Sequence, residues 1–138
     1  MTTPANATLL RLGQTELALA QPAEDIRGRK VVDSNGDDIG DVEELLIDDT
    51  EKRVRFIEVA SGGFLGIGET RFLVPVDAIK KVENQVIHVD RTRQDVMSAP
   101  HYDPDLINEE YFTRLYGYYG FGPFWAPGYA YPMYPFAI

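Results

Sequence analysis

Asp33, Asn35, Asp37 and Glu44 stand at positions 1, 3, 5 and 12 of a calcium-loop count, where their oxygens would suit a hard cation. Such a loop needs glycine at its sixth position and a helix on each side. Here the sixth position is Asp38, the glycine is Gly36, and the flanks read as strands, so a solvated hairpin turn is expected. The glycines from Gly62 to Gly68 lack the Lys-Ser or Lys-Thr of a phosphate cradle and precede a strand, so a plain connecting loop is expected. His88 and His101 have no second histidine at helical spacing and are read as structural. Asp37, Asp38, Asp41, Glu43, Glu44, Asp48 and Asp49 could hide a catalytic carboxylate pair, but they cluster near turns and read as a solvated face. The chain has no cysteine, which removes disulfides, thiolate metal sites and cysteine nucleophiles. No catalytic residue, cofactor-binding residue or metal ligand is therefore assigned, and no enzyme is expected.

The chemistry that stands out is aromatic. After Arg114 the chain has no charged residue, while rings crowd among glycines and prolines. Prolines at 123, 127, 132 and 135 forbid a continuous helix, so this tail is expected to be extended. Aromatic rings bury large areas and tyrosine keeps a polar end, the combination enriched at protein interfaces. Tyr118, Tyr119, Phe121, Phe124, Trp125, Tyr129, Tyr131, Tyr134 and Phe136 are the candidate interface residues. Packing on another subunit or partner is the first expectation for them, and folding back on the chain's own domain the second.

Composition narrows the partners. A length of 138 residues suits one core with appendages, and hydrophobic and charged shares of 44% and 25% suit a folded soluble domain. The net charge of -9, with scattered basic residues, repels a phosphate backbone and argues against nucleic-acid binding. No apolar run is long enough to span a membrane and no export signal is visible, so a cytoplasmic, bacterial-type protein is expected.

Three regions must position these residues: a lead-in over 1–25 with one possible strand around Leu9 to Leu12, a strand-rich domain over 26–102, and a C-terminal helix and tail over 103–138. Asn35-Gly36 marks a hairpin turn, because both residues accept positive φ. Ile39 to Ile47 has a pattern that also fits a helix; strand is preferred because the turn precedes it and Gly40 suits a bulge. Arg53 to Ala60 and Arg71 to Val74 read as strands, Pro75 ends the latter, and Val76 to Ile79 as one helical turn. A last hairpin joins Val82 to Val86–Val89. Thr92 and Asp95 then open a short helix, and Asn108 a second, with Tyr111, Leu115 and Tyr118 on one face and Gly117 or Gly120 at its end.

Taken in order, Asp25-Ile26-Arg27-Gly28, Gly36-Asp37-Asp38-Ile39-Gly40-Asp41-Val42, Gly62 to Gly68, and Leu73-Val74-Pro75-Val76-Asp77-Ala78-Ile79 resemble the PRC-barrel domain. That family is named for the cytoplasmic domain of the photosynthetic reaction centre H subunit. The resemblance covers roughly Asp25 to Tyr102. It implies a mainly β fold, a small closed barrel of about six strands, here followed by two short helices and the aromatic tail. It also implies a docking or assembly module without common catalytic residues. The expected function is thus protein interaction with a partner or with itself as a homo-oligomer. An accessory that docks peripherally on a membrane electron-transport complex is the alternative.

Overall fold

The computed structural model describes residues 9–14, 24–62, 70–103, 108–132 and 134. The Gly63 to Gly68 part of the glycine-rich loop, and Phe136, lie outside the described residues.

The Asn-Gly turn forms the first hairpin. Gly36 takes φ 86°, and the Asp33 carboxylate accepts the backbone N–H groups of Asn35 and Asp37, both at 2.8 Å. This turn joins β2 (Lys30–Val32) to β3 (Asp38–Asp48) in antiparallel register. The strand reading of β3 holds, and Gly40 shows why. Its φ is 155°, and a Cβ there would lie 2.1 Å from the Ala60 carbonyl oxygen, so only glycine lets the neighbouring strand come this close. The expected bulge appears beside it in β3: Val31 pairs with Gly40 and Val32 with Asp38, which leaves Ile39 as the extra residue.

β3 pairs with β4 (Val54–Ser61), and β4 with β5 (Thr70–Pro75). A 3-10 turn, Val76–Ala78, then feeds the hairpin of β6 (Ile79–Val82) and β7 (Val86–Val89). β7 returns to lie parallel to β2, with Val31 opposite Ile87. β1 (Leu9–Arg11) pairs with the far half of β3, so one edge of that long strand serves two partners. The order β5-β4-β3-β2-β7-β6 makes a half-barrel. Its two end strands are chain neighbours through the 3-10 turn, and no pairing between them occurs among the described residues.

Both short helices start where their capping residues predict. Thr92 Oγ1 accepts the Asp95 N–H at the head of α1 (Arg93–Met97), and Asn108 Oδ1 accepts the Tyr111 N–H at the head of α2 (Glu109–Tyr119). Gly120 closes α2 with φ 86°. The buried face of α2 differs from the expected one. It comprises Tyr111, Phe112, Leu115, Tyr116 and Tyr119, a stripe wide enough to leave Tyr118 at its margin, 42% exposed. Phe112 stacks on Phe56 of β4 with ring centroids 5.2 Å apart, and Tyr116 meets the same ring at 5.0 Å. With the sheet on one side and such contacts on the other, every residue of β4 is buried. No helix among the described residues is long and apolar enough to cross a membrane.

Candidate interaction site beneath the aromatic tail

The site starts at the turn between β3 and β4. Asp48 is buried and accepts the N–H groups of Glu51 and Arg53, which closes the turn, and also Arg55 Nε at 2.9 Å. Arg55 Nη2 reaches Glu51 Oε1 at 2.6 Å. Burial alone would weaken the Arg55 cation, but the Asp48 and Glu51 carboxylates outweigh it and hold the guanidinium more firmly protonated than usual.

The tail covers that guanidinium. Its central carbon lies 4.4 Å from the Phe124 ring centroid, 5.4 Å from that of Tyr131 and 5.9 Å from that of Tyr129. Arg53 stands 4.4 Å over the Tyr131 ring. Such contacts favour the flat face of a guanidinium against the negative face of a ring. The hydroxyl groups then fix the position: the single O–H of Tyr131 is shared between the Val54 carbonyl at 3.0 Å and Glu24 Oε2 at 3.3 Å, and Tyr134 donates to the Glu24 carbonyl. Tyr129 donates to Asp77 Oδ2 at 2.9 Å, and Trp125 meets the Tyr116 ring edge-on at 6.1 Å. Burial raises the Asp77 carboxyl above its ordinary range, with the Tyr129 hydroxyl and Arg55 opposing. It also raises the phenols of Tyr116 and Tyr129.

The candidate interface residues thus divide. Phe124, Tyr129 and Tyr131 converge on Arg55, while Trp125 joins the α2 side of the same seam. Tyr119 and Phe121 gather at Arg91, whose guanidinium lies 5.7 and 5.3 Å from their rings. Tyr119 and Tyr134 are buried in the chain's own core, and Phe121, Phe124, Trp125, Tyr129 and Tyr131 are half-buried. Tyr118 stands apart, donating to the Asp95 carbonyl. The described part of the tail, 121–132 and Tyr134, therefore folds back on its own domain.

The acidic residues also separate. Asp37, Asp38, Asp41, Glu43 and Asp49 are exposed. Asp33 is buried and spends its second oxygen on the N–H of Arg93 at 2.8 Å, tying the hairpin turn to α1. Burial would raise its carboxyl, yet the backbone donors of Arg93, Asp37, Asn35 and Gly36 prevail and lower it. Glu44 accepts the N–H groups of Gly13 and Leu45. His88 Nε2 lies 2.6 Å from Glu83 Oε1, and His101 is exposed on a separate surface.

Sequence reasoning missed one further cluster. Glu58, fully buried in β4, accepts from Arg11 at 2.8 Å, Arg71 at 3.0 Å and the Tyr102 hydroxyl at 2.7 Å. One carboxylate thereby joins β1, β4, β5 and the segment after α1. Its signal was available: charges at Arg55 and Glu58 inside an otherwise apolar strand imply buried partners.

A family model for the PRC-barrel domain matches residues 22–96, which run from before β2 into α1. The chain belongs to the PRC-barrel family. No curated relative matches the chain. In this PRC-barrel the matched region holds Glu24, Arg53, Val54, Arg55 and Asp77, the residues on which the tail rests. The tail itself lies beyond that region.

Proposed function

We propose that this PRC-barrel is a non-catalytic docking or assembly module of the cytoplasm, its half-barrel closing round one core, that joins copies of itself through the aromatic tail. The observation that carries the reading is the uncharged band left on the surface when the tail is seated. Phe121, Phe124, Trp125, Tyr129 and Tyr131 remain half-exposed in a chain of net charge -9. Two like-charged copies repel except where such a band meets its equal, and aromatic rings with polar ends suit the contact. The buried charges support the non-catalytic part: Asp33, Glu44, Asp48, Arg55 and Glu58 serve turns and strand junctions.

Light scattering tests this reading. The full chain should have a greater mass per particle than one ending at Gly120, after allowance for the residues removed. A monomer before and after truncation refutes the tail's role in assembly. Sedimentation of the full chain with native membranes, combined with a monomeric soluble pool, would favour docking on a membrane electron-transport complex instead.

A further inference from the structure

The tail's attachment is unusual in kind. Its anchors are rings over Arg53 and Arg55 and hydroxyls on Asp77, Glu24 and the Val54 carbonyl. Among the described residues no backbone–backbone hydrogen bond links 121–134 to the sheet; those bonds stay within the tail or reach the end of α2. A segment held this way has no register to keep and is recognised by side-chain chemistry alone.

Three more observations bear on the seat and its occupant. The partners of Tyr131 and Tyr134 at Glu24 lie 107 and 110 residues away in sequence, so their contacts need no local continuity. The joint after α2 is Gly120 in the left-handed region, then Phe121, Gly122 and Pro123, and a Cβ on Gly122 would meet nothing within 4 Å. The seat also leaves polar atoms unpaired. Among the described residues Asp77 Oδ1 and the Tyr116 hydroxyl are buried without a hydrogen-bond partner, and a solvent-open hollow of about 320 Å³ is lined by Asp77 and by Phe121, Pro123, Ala126 and Tyr129 of the tail itself. A buried polar atom without a partner weakens the closed arrangement.

We propose that the seat is an exchangeable docking groove for an uncharged aromatic segment, and that a second copy of this chain supplies it, each copy laying its tail across the other's Arg53, Arg55 and Asp77. The naming of a second copy rests on the assembly reading above; the chemistry of the groove does not. The occupant seen in the groove is this chain's own tail, which every copy carries. It brings no charge, so the repulsion between copies of net charge -9 is least at this contact. Within one copy the short joint gives the tail a high local concentration, which favours the closed form until the joint cannot reach.

Shortening that joint is the test. In the full chain lacking Gly122 and Pro123, the joint is two residues shorter, which should keep Phe124 from the Arg55 of its own copy. Light scattering should then give twice the monomer mass, and adding Arg55→Ala should return the monomer with a protease-sensitive tail. A folded, shortened chain that stays monomeric overturns the proposal, as does a dimer indifferent to Arg55→Ala. Should the shortened chain fail to fold, two full-length pools replace it, one labelled at Ala130→Cys and the other at Lys80→Cys, since the natural chain has no cysteine. Energy transfer should grow slowly after mixing, and no transfer overturns the proposal. A natural chain of constant monomer mass sinks the assembly reading alone, leaving the shortened chain to decide the groove.

Discussion

Glu58 is a fully buried carboxylate and Asp77 a half-buried one with one oxygen shut off from solvent, and their surroundings are opposite. Glu58 is met by two arginines and a tyrosine hydroxyl from three separate segments. Among the described residues Asp77 has one side-chain donor, Tyr129, beside its own backbone N–H, and an oxygen buried without a partner. A buried charge stabilises only when its lone pairs are taken. The sheet around Glu58 is therefore the fixed part of the molecule, and the seam around Asp77 is where a segment can leave. Connectivity agrees: β4 is held by ladders on both sides, whereas the tail rests on side chains.

If that contrast is sound, Glu58→Ala should have the largest effect. It removes the acceptor of three donors and opens a cavity where β1, β4 and β5 join. A loss of about 4 kcal/mol of global stability is expected from urea denaturation. A loss below about 1 kcal/mol would show that the arginines turn out to water without consequence and that the clasp is dispensable. Arg55→Ala should cost less, about 2 to 3 kcal/mol, because Asp48 keeps the Glu51 and Arg53 N–H groups. Its signature is local: limited proteolysis should cut between Phe121 and Tyr134 before the sheet unfolds. Tyr129→Phe removes one hydrogen bond at the seam and should cost about 1 kcal/mol, with the same early cleavage to a lesser degree. Equal cleavage of variant and natural chains would mean that Tyr129 does not hold the tail.

Much of the sheet was legible because its signals are local. Asn35-Gly36, Gly40, Pro75 and the caps at Thr92 and Asn108 act through their own backbone geometry, and each marks an element boundary or irregularity close to where it was expected. The seam was half legible. Lack of charge and richness in rings identified the tail as adhesive, but its target depends on Arg53, Arg55 and Asp77, contributed by other elements and unrelated to it by any period. Tyr118 shows the same limit on a smaller scale. Its spacing from Tyr111 and Leu115 places it on an apolar side of α2, and only the position of Phe56 decides that Phe112 and Tyr116 are buried instead. The Glu58 clasp was hidden for a related reason, since Arg11, Arg71 and Tyr102 lie far apart along the chain.

The finest discrimination between wall and seam is a matter of sign with pH. Asp33, in the hairpin turn, is held below the ordinary aspartate value of 3.8 by its backbone donors. Its contribution is present above that value in the folded chain and is lost as the pH falls through its lowered pKa. Asp77 is raised above 3.8 by burial, so its contribution is complete below 3.8 and is lost as the pH rises through its raised pKa. At neutral pH the seam thus holds a carboxylate that burial disfavours, with Arg55 and the Tyr129 hydroxyl opposing the penalty and the Tyr116 hydroxyl nearby. Asp77→Asn relieves that penalty and can still accept from Tyr129. The variant should be slightly more stable than the natural chain at pH 7, with slower tail cleavage, and the gain should vanish below pH 3.8. Asp33→Asn should do the reverse, losing stability at neutral pH and little in acid. Parallel pH profiles for the two variants would mean that turn and seam share one electrostatic environment, and the division between a fixed wall and a releasable tail would fall with it.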